Sequence, residues 1–281
     1  MTTTVFLIRH GDRYDYEIGK EAWQARCSGA AYLKPSDPPL SALGHQQARD
    51  LAAHLKQEQI EAILVSPYLR ALQTAQPLAQ VTGLPLLVDF AIAESHQLPS
   101  VLPRVQMRLP YFPEIDETYV PMFSTVVTEG SDGQEPNREP RVEHMRRMLY
   151  VANQLQESPL LAGRRVALVT HAASVALLSA LRREPLEKAG KLAPCGVCRF
   201  TLEPAGRVTV VAQGDDVSAY TKSSPSTRAW GFSDSNEPLD STEELWKQAL
   251  ELGPTDITSL PLTVPAEAAE TCSDVYEPES L

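Results

Sequence analysis

Four short apolar segments, each leading to a polar side chain of catalytic type, constrain the fold of this 281-residue chain most strongly. They cover residues 4–8, 60–65, 84–88 and 164–170, and their length and β-branched residues are typical of buried strands. Helical periodicity is found at 41–57, 69–81, 140–156 and 174–181, and two further strands are expected at 196–202 and 207–213. We therefore predict an α/β fold, a three-layer α/β/α sandwich around a mostly parallel sheet with an antiparallel edge.

The polar side chains beyond these segments form one joint pattern. Arg9 and His10 follow the first segment directly, and His171 follows the last. The second and third segments lead to Arg70 and Glu94. Each of these side chains alone is more often structural than catalytic. Because ligands of open α/β sheets bind at the carboxyl ends of the strands, the joint pattern predicts a functional site at that edge.

The sequence around these residues contains motifs in a fixed order, at 7–11, 40–48, 66–75, Glu94 and 169–171. As a set, and over about residues 1–215, they resemble the phosphoglycerate-mutase-like branch of the histidine phosphatase superfamily. Residues 11–13, 19–23, 117–121 and 171–174 carry a narrower resemblance. It is to the phosphatase domains of suppressors of T-cell-receptor signalling and to ecdysteroid-phosphate phosphatase. The fold implied is phosphoglycerate-mutase-like, and related domains also occur in a transcription-factor subunit.

The resemblance implies phosphoryl transfer through a phosphohistidine. His10 would attack phosphorus, and Glu94 would protonate the leaving oxygen and then deprotonate the attacking water. We expect a backbone carbonyl to hold the second ring nitrogen of His10. The phosphate oxygens would be bound by Arg9, Arg70 and His171, and the resemblance adds Arg13 and Ala172. We expect no metal and no other cofactor, because the arginines supply the positive charge that Mg²⁺ supplies in other phosphoryl-transfer enzymes.

Three functions from different classes fit this pattern. The first is a phosphomonoesterase, a histidine phosphatase that hydrolyses a phosphate monoester without a metal. The second is a phosphoglycerate-type mutase, although residues 12–17 lack the Ser- and Asn-rich continuation typical of mutases. The third is a non-catalytic interaction protein that uses a phosphatase fold.

The chain divides at about residue 220. Residues 1–220 are expected to form the histidine phosphatase domain, with an insert or cap at about 95–140 that is rich in proline. Its apolar residues either hold the insert to the sheet or line a pocket for an aromatic or apolar leaving group; they are Met107, Tyr111, Phe112, Tyr119, Met122 and Phe123. Residues 221–281 form an acidic, Pro- and Ser-rich extension, with a short helix expected at 241–250, capped by Asp240 or Ser241, and poor order at about 255–281.

Charge and composition limit the kinds of binding partner that we expect. Of the formal net charge of −11, the extension contributes −9, and no basic stripe predicts nucleic-acid binding. The expected partner is a small phosphorylated substrate or a phosphotyrosine-like group. A homodimer is compatible with the sequence, and the acidic extension is a candidate binding segment for a protein. The absence of a long apolar segment predicts no membrane binding. The four cysteines lack a disulfide or zinc pattern, so we expect a cytoplasmic location, with the nucleus as the alternative.

Overall fold

The computed structural model describes most of the chain. The described residues are 1–28, 34–95, 105, 108–121, 139–204, 206–221, 229–234 and 239–254. The prediction of poor order at 255–281 lies outside these ranges, as do the predictions for Met107, Met122 and Phe123.

Within the described residues, six strands form one mixed sheet. They are β1 (Thr3–Arg9), β2 (Ala62–Val65), β3 (Leu86–Val88), β4 (Arg165–Thr170), β5 (Val197–Leu202) and β6 (Val208–Ala212). Their order across the sheet is β3-β2-β4-β1-β5-β6. Strands β1 to β4 are parallel, whereas β5 runs antiparallel to both of its neighbours. The predicted α/β fold with a mostly parallel sheet and an antiparallel edge is confirmed.

Helices cover both faces of the sheet. They are α1 (Tyr14–Ile18), α2 (Lys20–Ser28), α3 (Ala42–Leu55), α4 (Leu69–Thr82), α5 (Arg141–Glu157), α6 (Ala176–Arg182) and α7 (Leu239–Leu252). Ser41 begins α3 by accepting a hydrogen bond from the Gly44 amide at 3.0 Å, and Gly83 ends α4 in the left-handed conformation. The helices α1 and α2 were not expected from the sequence, because neither has a marked apolar periodicity.

Side chains on the two faces of the sheet pack into two separate hydrophobic cores. Along β1, Val5 and Leu7 pack into a core with α5, α6 and α7. Phe6 and Ile8 point to the opposite side, into a core with α3 and α4. This alternation follows from the two-residue period of a strand, and burial on both faces explains why residues 5–8 of β1 form a continuous apolar segment. Each fully buried aliphatic side chain contributes roughly 1.5–3 kcal/mol.

The carboxyl ends of the parallel strands meet at one edge. The strand β1 ends beside His10, and β4 ends beside His171. The neighbouring β2 leads to Ser66, and β3 leads into a 3-10 turn, Phe90–Ile92, just before Glu94. The topology therefore assembles the polar side chains that the sequence scatters over 160 residues.

The described part of the insert is attached to the sheet by apolar side chains. Phe112 and Ile115 are buried in the core on the α3 and α4 side, and Ile115 forms a bridge with Leu86 of β3. The Tyr119 hydroxyl donates to the Asp89 carboxylate at 3.1 Å. For Phe112, burial in the core favours the alternative in which the apolar side chains hold the insert to the sheet.

The C-terminal extension contributes to the body of the protein. Trp230 pairs with Leu192, and Phe232 joins the core. The helix α7 packs on α5 through Trp246. The expected helix is present, but it starts at Leu239, so neither Asp240 nor Ser241 is its N-cap. No helix within the described ranges is long and apolar enough to cross a membrane.

Candidate active site

His10 is held in one orientation by the chain around it. Its amide donates to the Thr170 carbonyl of β4 at 2.9 Å, and its own carbonyl accepts from the Cys195 amide at 3.2 Å. The ring Nδ1 lies 2.7 Å from the Gly11 carbonyl. Because a carbonyl can only accept, Nδ1 carries the proton, and Nε2 keeps its lone pair. A backbone carbonyl thus holds the ring, as the sequence predicts.

Gly11 allows the chain to turn away tightly after His10. A Cβ atom at this position would lie 2.8 Å from the Gly44 carbonyl oxygen of α3, closer than real Cβ contacts. The Gly11 amide donates to the Thr74 hydroxyl at 3.0 Å, and that hydroxyl donates to the Arg70 carbonyl at 2.7 Å. The turn therefore connects the histidine directly to the helix that carries Arg70.

Two buried guanidiniums flank His10. Arg9 donates to the Leu192 carbonyl at 2.8 Å, and Arg70 donates to the Ser36 carbonyl at 3.3 Å. The Nη1 of Arg70 also lies 3.7 Å from the Asp37 carboxylate. Among the described residues the Nε of Arg70 has no hydrogen-bond partner, so this buried donor is available to an anion. Burial lowers the pKa of both arginines, yet a guanidinium stays protonated at neutral pH.

The electrostatics keep His10 neutral. Burial lowers its pKa well below the ordinary value, and the positive charges of Arg70, Arg9 and Arg13 lower it further. Arg13 sits at the start of α1, where it is paired with Asp15. A neutral imidazole among positive charges combines an anion-binding site with a nucleophile.

His171 completes the centre of the site. It is fully buried, and its ring centroid lies 5.3 Å from that of His10. Its Nε2 lies 2.7 Å from the Ser66 hydroxyl, and the Tyr68 ring packs edge-on against it at 4.9 Å. Ala172 follows at the start of a 3-10 turn, where it is half-buried.

Glu94 is the more open member of the cluster, with 26% of its side chain exposed. Its Oε2 lies 3.7 Å from Nη2 of Arg70 and 3.6 Å from Nδ1 of His171. Its Oε1 accepts from the Ser95 amide at 3.0 Å. The carboxylate is therefore within reach of solvent and close to Arg70 and His171, a position suited to proton exchange with a bound group.

The other nearby carboxylates have structural partners. Asp12 accepts from the Ser41 hydroxyl at 3.0 Å, at the start of α3. Asp89 is fully buried, and besides Tyr119 it accepts from the Ala91 amide at 3.0 Å. These bonds leave Glu94 as the partly exposed carboxylate beside Arg70 and His171.

A model of the histidine phosphatase superfamily (branch 1) matches residues 5–215. The chain belongs to this superfamily. The match covers the sheet, the polar cluster and the described part of the insert, and membership supports an activity of the phosphatase or mutase type.

The chain is similar to curated proteins with two different names. The chain is 30% identical over 205 residues to a probable phosphoglycerate mutase, GpmB, of Yersinia enterocolitica, covering 69% of this chain and 83% of that protein. It is 27% identical over 265 residues to the transcription factor tau 55 kDa subunit of Saccharomyces cerevisiae, covering 87% of this chain. The matched region spans only 58% of the yeast subunit.

Two solved phosphatase structures share the fold of this chain. The ecdysone phosphate phosphatase of Bombix mori, in complex with tungstate, superposes with a TM-score of 0.58 at 20% identity, covering 75% of this chain and 93% of that one. A mycobacterial glucosyl-3-phosphoglycerate phosphatase superposes with a TM-score of 0.51 at 22% identity, covering 76% and 99%.

The structure places Arg70, Glu94 and His171 around His10, with Arg9 and Arg13 close enough to act on His10 by their charge and Ala172 directly after His171. Sequence reasoning missed other residues around this cluster. Ser66 orients His171, and Asp37 lies beside Arg70. Arg147 of α5 binds the backbone beside Glu94. Ser66 stands at a strand end like the other candidates, so its position was a usable signal. Asp37 lies in a loop, and Arg147 lies in a helix far along the chain, so neither could be placed without tertiary structure.

The Cys195–Cys198 pair is buried near His10. Burial raises the pKa of both thiols, which disfavours the reactive thiolate. In the described part of the chain, no three His, Cys, Asp or Glu side chains are arranged to hold a metal ion.

Proposed function

We propose that this chain is a phosphomonoesterase that works through a phosphohistidine on His10. The observation that carries the proposal is the neutral imidazole, fixed at Nδ1 by the Gly11 carbonyl, among positively charged side chains. Such a site attracts a phosphate dianion and presents an uncharged nitrogen lone pair to it.

In the first step, Nε2 of His10 attacks phosphorus, and the bond from phosphorus to the leaving oxygen breaks. Arg9, Arg70, Arg13 and His171 would stabilise the charge on the three transferred oxygens, together with the Ala172 amide. The protonated carboxyl of Glu94 would give its proton to the leaving oxygen. The leaving alcohol then departs neutral, which matters most when its alkoxide is strongly basic.

In the second step, the Glu94 carboxylate takes a proton from water while the water oxygen attacks phosphorus. The bond between phosphorus and Nε2 breaks, inorganic phosphate forms, and His10 returns to its neutral state. Arginine charge carries the electrostatic role throughout, so the proposed route uses no metal and no other cofactor.

An aromatic or apolar leaving group is the proposed substrate feature. Tyr16, which is 41% exposed, lies with its ring centroid 4.3 Å from the guanidinium carbon of Arg13. An exposed aromatic face beside a proposed phosphate ligand favours an aryl phosphate or a phosphotyrosine-like group. A metal-free hydrolysis screen over aryl, sugar and nucleotide monophosphates tests this; equal rates for all classes would contradict it.

A mutase is the second candidate, supported by the similarity to the probable phosphoglycerate mutase. It would use the same phosphohistidine and return the phosphoryl group to a second hydroxyl of the substrate. Transfer of labelled phosphate to phosphoglycerate, rather than to water, would favour it. A third candidate, an interaction protein with its acidic extension as the binding segment, is supported by the similarity to the yeast subunit.

The proposal predicts a trapped intermediate. Enzyme given a labelled aryl phosphate and quenched should carry acid-labile, base-stable phosphate on His10. His10→Ala should lose this label and nearly all turnover, because no other side chain supplies the nucleophile. His54→Ala is the matched control, since that histidine is exposed and stacks on Tyr220. Label that persists in His10→Ala would contradict the assignment.

The role of Glu94 is predicted from leaving-group dependence. In single-turnover phosphoryl transfer, Glu94→Gln should cost little with p-nitrophenyl phosphate, whose phenolate leaves without a proton. With ethyl phosphate the same variant should lose on the order of 10²–10⁴, the range of general acid catalysis. Arg70→Ala should harm both substrates similarly, because it would bind the transferred group. Equal losses in Glu94→Gln would remove this residue from the acid role.

A further inference from the structure

Arg147 of α5 is a fully buried arginine outside the group proposed to bind phosphate. Its Nη1 donates to the Ala91 carbonyl at 2.7 Å and to the Ala93 carbonyl at 2.9 Å. Its Nη2 lies 3.3 Å from the Glu94 carbonyl, a longer contact that shares the two Nη2 hydrogens with shorter bonds to Glu139 and His144. Three carbonyls from four consecutive residues therefore converge on one guanidinium, and these residues carry the Glu94 side chain into the site.

The charge of Arg147 is balanced from the opposite side. Its Nε and Nη2 each donate to a different carboxylate oxygen of Glu139, both at 2.8 Å. The Nδ1 of His144 accepts from Nη2 at 2.9 Å, and burial with the charge of Arg147 lowers the pKa of His144 to about 4. A two-point arginine–carboxylate pair fixes direction as well as distance, so the guanidinium has little freedom to rotate.

These contacts join the two ends of the insert. Glu94 is the last residue before it, and Glu139 is almost the last residue in it. One guanidinium thus holds the chain where it leaves the sheet and where it returns to α5. The position of the Glu94 carboxylate, 3.6 Å from His171 and 3.7 Å from Arg70, depends on the backbone held in this way.

We propose that Arg147 is a positioning residue for the general acid Glu94. This inference rests on the proposed function, and it assigns to Arg147 an effect on proton transfer alone. Arg147 would not touch the substrate, so its loss should leave phosphate binding and attack by His10 intact. A displacement of about 1 Å can cost on the order of 10²-fold in rate.

The experiment compares two substrates in single-turnover phosphoryl transfer. Arg147→Gln should lower the rate with ethyl phosphate on the order of 10²-fold and leave that with p-nitrophenyl phosphate within about threefold. Arg147→Lys keeps the charge beside Glu139, but its single ammonium group cannot bind three carbonyls. This variant should show the same selective loss of rate. It replaces Arg147→Gln in the experiment if Arg147→Gln does not fold. Inhibition by inorganic phosphate should be unchanged in both.

Two matched controls separate positioning from stability. Arg146→Gln alters the neighbouring arginine, which binds Glu143 and the Gly253 carbonyl rather than the Glu94 backbone. Leu155→Ala removes a buried side chain two helical turns beyond Arg147 on α5 and destabilises the fold, while the Arg147 guanidinium is kept. Neither control should change the ratio of the two rates.

Non-additivity is the decisive readout. If Arg147 acts through Glu94, the double variant Glu94→Gln/Arg147→Lys should lose no more with ethyl phosphate than Glu94→Gln alone. Additive losses, equal losses on both substrates, or a changed ratio in Leu155→Ala would each overturn the inference. If Glu94→Gln alone loses the same rate with both substrates, the proposed acid step is wrong. This result needs no Arg147 variant, so failure of the proposed function can be told from failure of the inference about Arg147.

Discussion

At the scale of single residues, the site is built from groups whose chemistry depends on burial. His10 is an ordinary imidazole until burial and three guanidiniums lower its pKa and the Gly11 carbonyl selects its tautomer. Arg70 is buried, and its Nε has no hydrogen-bond partner among the described residues, so this donor remains for an anion. The carboxylate of Glu94 faces this positive centre from the more exposed side.

A prediction at this scale concerns the phosphate-binding residues. Arg9→Ala, Arg70→Ala and His171→Ala should each lower kcat on the order of 10²–10³, the usual effect of removing one preorganised donor. Combined losses should be less than additive, because the three residues act on the same transferred group. Steady-state kinetics with p-nitrophenyl phosphate measures this, and Arg146→Ala is the control outside the site. A residue whose change leaves kcat within about threefold lies outside the catalytic group.

At the scale of elements, α5 connects the core to the site. Its Met148 and Leu149 pack under the sheet, while Arg147 reaches the segment that carries Glu94 and also donates to His144. The predicted apolar stripe found this helix and its bounds to within one residue. The apolar pattern did not predict the burial of His144 and Arg147, because polar side chains in a helical sequence are normally exposed to solvent.

A prediction for α5 follows from the pKa of His144. The unfolded chain binds this proton near pH 6.5, whereas the folded chain binds it only near pH 4. Stability is therefore fully present above pH 6.5 and falls as the pH approaches 4, by about 3 kcal/mol in total. His144→Asn, whose amide oxygen can accept the Arg147 hydrogen bond, should remove that part of the pH dependence.

Urea unfolding at several pH values between 4 and 7 measures the difference between wild type and His144→Asn. The control is His54→Asn, an exposed histidine of α3. Parallel stability curves for wild type and His144→Asn would show that His144 does not stay neutral in the folded protein.

At the scale of the whole molecule, the composition of the chain changes at about residue 220, but residues beyond this proposed boundary still pack into the core of the domain. Trp246 of α7 is 2% exposed, belongs to the core with α5 and α6, and donates to the Glu184 carbonyl at 3.0 Å. The acidic charge of the extension therefore sits on a segment of which at least one helix is anchored to the body.

We predict that Trp246→Ala destabilises the whole protein by about 3–5 kcal/mol, the usual effect of removing a buried tryptophan. Leu252→Ala, at an exposed position on the same helix, should have little effect. Denaturant unfolding followed by activity and by circular dichroism should give one coincident transition. Two separate transitions, or no shift in Trp246→Ala, would mean that the extension folds independently.

Most strands and helices could be located along the chain from the sequence, because they have a local apolar periodicity; α1 and α2 lack it and were missed. The strands at Thr3–Arg9 and Arg165–Thr170, the helix at Arg141–Glu157 and the functional residue types at the strand ends all follow from apolar spacing and strand topology. Those rules place His10, Arg70, Glu94 and His171 on one edge. They are silent about the distances between these side chains.

Tertiary structure alone decided what holds these residues in place. The Gly11 turn against α3, the Asp37 carboxylate beside Arg70 and the Arg147 contacts to 91–94 each join positions more than 30 residues apart. Such contacts depend on how elements pack, and their partners come from loops and helix faces that have no periodic signal. The local sequence thus determines which functional residue types the site contains, whereas the distances between them are set only when the two layers of helices pack on the sheet.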